Sequence, residues 1–491
     1  MEMGCGNRTA RRRIMRVAAA LVAILSCPAA ELEHRIDALI ETSSIATRAE
    51  VGIHVVALAN GKTLYGHNEN RLLLPASNMK LFTTALALDR LGGAYRFMTR
   101  LVREPSGDLT LVGSGDPSLS GRVFPYQKSA KAGPPLLAIE DLADQALAGG
   151  LRRVDGDVVG DDRLYPWAPY APSWTQDDAL WDYGAPVSAL TVNDNTITVT
   201  ILPGGHPGDP AELSLSPALE YYAVDNRVTT VARGGEPKIR IARQPGARQV
   251  LLWGSIPAGH AGANELLAVD DPALFAACAL YDALVRRGVV INGQPVARHR
   301  TAAGEYQAPD GDVLASRASP SLLELLQVID KLSQNLHAEL VLREVGRVTR
   351  HAGTREAGLE EMAALFSELG ASAEEWRVED GSGLSRNAQV TPRLVTRLLA
   401  HFFASPNREA WISLLPVGGE DGTLEHRLCC MREARGIRAK TGSLSRAVAL
   451  SGYADSKTHG RLAFSIMVNN FSAQAAEVRA WIDKIAIALL E

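Results

Sequence analysis

One texture of sequence is interrupted by another, and that interruption constrains the fold more than any other feature. Residues 51–91 and 320–490 carry strong helical patterns and clear strands, whereas 94–314 is rich in Gly and Pro with short β-like runs. We read the middle as an insertion into a single helix-and-strand domain, whose two halves must pack together across it. At 491 residues the chain is too long for one typical core, so two or three domains are expected.

In the first half, Val51 to Leu58 predicts a strand, Asn60-Gly61 a hairpin turn, and Lys62 to Tyr65 the return strand. A helix is predicted from Ser77 to Leu91, stopped by Gly92-Gly93. Within the insertion, alternation between 195 and 256 (Thr196-Ile197-Thr198-Val199-Thr200, for example) predicts a small β-rich module, and Pro272 to Arg287 a helix. Beyond it, Ser319 as cap and Pro320 at the first helical position open a helix with an apolar face through Leu322, Leu323, Leu326 and Ile329. The end predicts strands over Arg438–Tyr453 and Leu462–Val468, then a helix from Gln474 to Leu490.

Arg8, Arg11, Arg12, Arg13 and Arg16 precede a nine-residue apolar run, Val17–Leu25, and then Ser26-Cys27-Pro28-Ala29-Ala30. A basic start, a short apolar core and a small-residue exit predict a secretory signal over 1–30. Nine residues cannot cross a bilayer, which needs about 20. Looser matches to a lipid-attachment box at Cys27 and to a twin-arginine signal are present, but ordinary export is the first expectation. No other stretch is long and apolar enough to span a membrane, so a soluble, exported, periplasmic protein is expected.

A net charge of −4 gives no basic stripe for nucleic acid, and 5% aromatics give no base-stacking platform. Five cysteines do not make a disulfide scaffold in this length; Cys278, Cys429 and Cys430 remain beyond the leader, with no C-x-x-C pattern. No two of the eleven His lie within four positions, so a local zinc motif is absent. Neither a nucleophile elbow nor a phosphate-binding P-loop occurs. A Ser-His-Asp triad dispersed along the chain stays open.

Among nine lysines, Lys80 is the only one with Ser three residues before it, in Ser77-Asn78-Met79-Lys80. On a helix those two side chains share a face. At a helix start the Ser hydroxyl can lose its proton to the amine, and its backbone N–H can hold an oxyanion. An N-cap Ser followed by a solvated Lys fits the bare pair as well. Lys440-Thr441-Gly442 lies on a strand-like run: Lys440 can bind a carboxylate, Gly442 lets backbone approach backbone, and the N–H of Ser443 can donate to an oxyanion. S-x-N occurs at Ser333, Ser385 and Ser405. We choose Ser333-Gln334-Asn335, between two helical runs and 107 residues before Lys440.

These three elements, in this order, resemble the penicillin-recognising serine acyl-transferases, and more closely the low-molecular-mass class C penicillin-binding proteins, the D-alanyl-D-alanine carboxypeptidases/endopeptidases of peptidase family S13. Pro75–Lys80, Gly113-Ser114-Gly115-Asp116-Pro117, Pro186–Asn193, Asp380–Arg386 and Gly422-Thr423-Leu424 carry the likeness, which spans about residues 31–491. The 256 residues between Ser77 and Ser333 exceed what a β-lactamase places there, and the family fills that gap with two inserted domains.

The resemblance implies a transpeptidase/β-lactamase-like α/β domain, an antiparallel sheet with helices on both faces, from 31–93 and 315–491. It implies one insert from 94–194 and 257–314, and a smaller β-rich one at 195–256. Ser77 would be the acylated nucleophile, Lys80 the general base, Ser333 a proton relay to the leaving amine, and Asn335 a holder of the substrate peptide. Lys440 and Thr441 would read the terminal carboxylate, and the N–H groups of Ser77 and Ser443 would form the oxyanion hole. Asp161, Arg386 and Ser445 would face the free end of a diaminopimelyl side chain. The implied function is hydrolysis of D-Ala–D-Ala termini and D-Ala–diaminopimelate crosslinks in peptidoglycan stem peptides, with β-lactams as inhibitors and no metal or organic cofactor. A serine β-lactamase is the alternative, although no E-x-x-x-N occurs; a non-catalytic penicillin sensor or wall-binding module is another.

Overall fold

The computed structural model describes residues 28–244, 246–301, 305–428 and 432–491. Residues 1–27 of the signal expected over 1–30, and the pair Cys429 and Cys430, lie outside the described residues. Burial pushes the half-buried Cys278 thiol up to about 11, which makes it a poor nucleophile at neutral pH. Among the described residues no helix is long and apolar enough to cross a membrane.

The main sheet is antiparallel throughout and joins the two ends of the chain. Its order is Ile437–Leu444, Ala447–Ser456, Gly460–Asn469, Glu50–Ala57, Lys62–His67. The first-half hairpin turns at Asn60-Gly61: Gly61 takes a φ of 70°, and the Asn60 side chain accepts from the Lys62 N–H at 3.0 Å. Register pairs Ile53 with Ile466 and Val55 with Phe464, so an early strand lies beside a late one.

Side chains alternate across this sheet as the pleat requires. Ala449, Tyr453, Ala463 and Met467 face a core built with helix Met79–Arg90 and helices Leu322–Leu332, Asn335–Arg350 and Pro392–Ala404. Val448, Leu450, Leu462, Phe464 and Ile466 face the other core, closed by helices Pro28–Glu41 and Ala475–Ala488. Helices therefore cover both faces.

Helix Leu322–Leu332 starts two residues later than Ser319-Pro320 predicts. Ser319 is held beside Phe97, donating its N–H to the Phe97 carbonyl at 3.0 Å and accepting from the Phe97 N–H at 3.0 Å. Ser321 caps instead, with Glu324 reaching back to its N–H at 2.8 Å in a capping box.

The middle of the chain builds a mixed five-stranded sheet, order Pro295–Arg298, Val158–Asp161, Leu109–Val112, Met98–Arg103, Asp312–Ala318. Helix Pro272–Arg286, capped by Asp271, lies so close that a Cβ on Gly160 would sit 2.0 Å from the Ala273 carbonyl. Two three-stranded sheets hold the smaller module: Lys238–Arg243, Gln249–Pro257 and Ala223–Val231 in one, Ala263–Ala268, Thr196–Leu202 and Glu212–Ser216 in the other.

Candidate active site

Ser77 lies in a single 3₁₀ turn, Ala76–Asn78, that runs directly into helix Met79–Arg90. Ala76 takes a φ of 47°, and the Asn78 side chain anchors the turn to the sheet by donating to Ser451 at 2.7 Å. The helix is buried from Met79 to Leu88, which carries Lys80 into the interior with no exposed surface.

Lys80 Nζ reaches Ser77 Oγ at 2.9 Å, Asn335 Oδ1 at 2.6 Å and the Ser382 carbonyl at 2.7 Å. The last two can only accept, and Asn335 is oriented because its Nδ2 donates to the Tyr183 carbonyl at 2.8 Å. Two N–H bonds of Lys80 are thereby fixed. The contact to Ser77 is the one whose direction can reverse, with a neutral amine accepting from the hydroxyl. Burial, and next the charge of Lys440, hold the Lys80 amine well below its ordinary range, while Asp380, Glu339 and Asp330 pull the other way.

Ser333 closes helix Leu322–Leu332 in the left-handed conformation, φ 62°. Gln334 then caps the next helix by accepting from the Leu336 N–H at 2.9 Å, and Asn335 is its first residue. The break between two helices thus aims Ser333 and Asn335 into one cleft. Lys440 Nζ donates to Ser333 Oγ at 2.9 Å and to the Thr441 carbonyl at 2.9 Å. Burial lowers the Lys440 ammonium as well. Thr441 Oγ1 meets Thr423 Oγ1 at 2.8 Å, which ties the Gly422-Thr423-Leu424 turn to the strand. A Cβ on Gly442 would stand 2.5 Å from the Pro75 carbonyl, so only glycine lets the strand press against the turn that carries Ser77.

The Asp380–Arg386 loop forms the opposite wall. Asp380 accepts from the N–H groups of Gly383 and Ser385, at 2.9 and 2.6 Å, and from the Trp174 indole at 3.0 Å. Glu339 accepts from Gly381 and Ser382 at 2.9 and 2.8 Å. Gly383, φ 76°, lies where a Cβ would fall 1.9 Å from the Ala76 carbonyl. This packing delivers the Ser382 carbonyl to Lys80.

The resulting cleft, about 280 Å³, brings together Ser77, Asn335, Arg386, Ser443 and Ser445. Asp161 is not among its walls. It ends strand Val158–Asp161 with its side chain buried, and Arg163, two residues on, binds it at 2.9 and 2.7 Å. The acidic wall is Asp178, which accepts from Arg386 at 2.8 and 3.2 Å, beside Tyr183. Sequence reasoning missed Asp178, Tyr183 and Ser382; the first two belong to a stretch without regular pattern, and Ser382 acts through its backbone. The 174–180 stretch also lines a second cavity, about 390 Å³, with Trp167, Tyr170 and Trp174 in its wall.

Comparison with known proteins agrees with this geometry. The pattern of the D-Ala-D-Ala carboxypeptidase 3 (S13) family matches residues 32–489. The chain is 35% identical to a D-alanyl-D-alanine carboxypeptidase of Actinomadura sp. (strain R39) over 94% of this chain and 85% of that protein. Its fold is similar to the crystal structure of penicillin binding protein 4 (dacB) from Haemophilus influenzae, with a TM-score of 0.78 and 20% identity over 92% of this chain and 97% of that one. The same protein complexed with a β-lactam gives a TM-score of 0.72 over the same shares, again at 20% identity. The chain belongs to the D-Ala-D-Ala carboxypeptidase 3 (S13) family and is a peptidase of the serine type.

Proposed function

We propose that this peptidase is exported to the periplasm, attacks D-Ala–D-Ala ends of peptidoglycan stem peptides with Ser77, and cuts D-Ala–diaminopimelate crosslinks at the same site. Lys80, neutral, takes the Ser77 proton as Oγ attacks the carbonyl carbon. The N–H groups of Ser77 and Ser443 hold the oxyanion of the tetrahedral adduct. Ser333 gives its proton to the leaving amine and is reprotonated from the Lys80 ammonium, which becomes neutral again; the C–N bond breaks and free D-Ala departs. Water then attacks the acyl-Ser77 ester, the neutral Lys80 takes its proton and returns it to Ser77 Oγ as the ester C–O bond breaks, and the shortened peptide leaves. Lys440 and Thr441 receive the terminal carboxylate, and Gly442 allows that strand to lie against the nucleophile turn. Arg386 with Asp178, in the role the resemblance implied for Asp161, offers one cation and one anion to a zwitterionic diaminopimelyl end, and Ser445 adds a hydroxyl. The catalytic domain takes 31–93 and 319–491, with one insert at 94–194 plus 269–318 and the smaller one at 195–268. The expected bounds at 256 and 314 are moved because Ala263–Ala268 pairs with Thr196–Leu202 and Asp312–Ala318 with Met98–Arg103.

The observation that carries this reading is the run of contacts Ser77–Lys80–Asn335, at 2.9 and 2.6 Å, beside Ser333–Lys440 at 2.9 Å. Labelling with a fluorescent penicillin tests it. Wild type is expected to bind one label per chain and Ser77→Ala none, and wild type to release D-Ala from a pentapeptide. Equal labelling of both proteins removes Ser77 from the mechanism. Labelling without D-Ala release points to a sensor, and rapid turnover of a chromogenic cephalosporin points to a β-lactamase.

A further inference from the structure

One buried carboxyl beside the cleft has no part in the steps above. Asp330 lies three residues before Ser333 and is fully buried on helix Leu322–Leu332. Its Oδ2 lies 2.9 Å from Thr84 Oγ1, and its Oδ1 makes no hydrogen bond among the described residues. A lone carboxylate in such a place is costly unless cations offset it. Three residues on, at the end of the same helix, Ser333 accepts from Lys440 at 2.9 Å. Thr84, the hydrogen-bond partner of Asp330, lies one turn along its helix from Lys80. Lys440, Lys80 and, on the same helix as Asp330, Lys331 are the cations that attract the carboxyl. Lys331 is already paired with Asp421 at 2.6 Å.

The two catalytic lysines are not served alike. Lys80 feels Asp380 and Glu339 as well as Asp330, whereas Asp330 is the one carboxylate acting on Lys440. Thr84 Oγ1 also lies 2.8 Å from the Lys80 carbonyl. Its single proton can point to an ionised Asp330, or to that carbonyl while a protonated Asp330 donates to Thr84. Both states of the carboxyl therefore fit without repacking.

We propose that Asp330 is a positioning residue of the DD-peptidase reaction: from behind the cleft it keeps Lys440 in the ammonium form that receives the substrate carboxylate, and so sets the alkaline edge of activity. This rests on the roles of Lys440 and Lys80 given above. Removing the negative charge lowers the pH at which Lys440 loses its proton. It also lowers that of Lys80, but less, because Asp330 interacts more strongly with Lys440 than with Lys80.

The test is the rate of acylation by a fluorescent penicillin from pH 5 to 10, in wild type and Asp330→Asn. Asn keeps the shape and can still accept from Thr84. The alkaline limb is expected to move to lower pH by about one unit, making the variant about tenfold slower near pH 9. The acid limb moves the same way by less, with rates near pH 6 within about twofold of wild type. Asp330→Leu, which fills the space without charge, is expected to give the same displacement and no loss of thermal stability. A profile that superimposes on wild type, or moves to higher pH, overturns the proposal. If neither variant folds, Asp330 belongs to the fold and the proposal falls. Failure of wild type itself to label refutes the acyl-serine reading instead.

Discussion

Lys80 occupies the interior with two N–H bonds committed to acceptors, and this decides which atom is free to act. Replacing it with Met keeps an unbranched stem but removes the amine. Acylation by penicillin is expected to fall by about 10²–10⁴-fold, followed as acyl-enzyme mass against time, with the fold retained because an apolar group now fills a buried site. At this scale the sequence told much, since Ser77, Lys80, Ser333, Asn335 and Lys440 stand in motifs of fixed spacing. Asp178 was not legible. It is placed by a 3₁₀ turn at 178–180 whose course depends on Trp174 bonding to Asp380 some 200 positions away. Asp161, which the resemblance implied by position, is claimed by Arg163, and nothing local foretells that pairing.

Helices and strands were read well wherever period and end signals agreed. Predicted Pro272–Arg287 is found as Pro272–Arg286, and Gln474–Leu490 as Ala475–Ala488. The start of helix Leu322–Leu332 was misread although Ser321 and Glu324 carried the capping-box spacing, because Pro320 looked like a first helical residue. No local pattern foretold how elements clamp one another. His299, just past strand Pro295–Arg298, joins Asp162 at 2.9 Å to Asp271, the cap of helix Pro272–Arg286, at 3.3 Å. Burial opposes its charge, but the two carboxylates prevail and raise the imidazole to about 10. The folded value exceeds the unfolded one, near 6.5, so this stabilisation is complete below about pH 6.5 and is lost as pH climbs toward 10. Melting temperatures of wild type should fall more steeply between pH 7 and 10 than those of His299→Gln; parallel curves would show that the clamp contributes nothing.

Across the whole molecule, residues 165–195 lean on the catalytic helices through a series of polar ties. Tyr165 donates to Glu344 at 2.8 Å, Arg343 to the Ala168 carbonyl at 2.9 Å, and Ser173 to Ser385 at 2.7 Å. A further tie is Asp194, which accepts from Arg122 at 2.8 Å and bonds the buried His337 at 2.8 Å. Asp194→Ala leaves Arg122 and His337 without that carboxylate, at a cost of about 3 kcal/mol. Hydrogen exchange is expected to quicken across 165–195 first, and unchanged exchange there would refute the tie. Such long-range ties leave no trace in periodicity, which is why the insertion was visible from texture while its seam was not.

The sheet that pairs Glu50–Ala57 with Gly460–Asn469 also has a consequence in time. Synthesis delivers Ser77 and Lys80 some 360 positions ahead of Lys440, roughly 20–70 s at about 5–20 residues per second. Throughout that interval the nucleophile has no strand to seat beside and no distant ammonium to quiet its partner amine. An elongating polypeptide is therefore expected to form no acyl-enzyme with antibiotic until the last hairpin has docked.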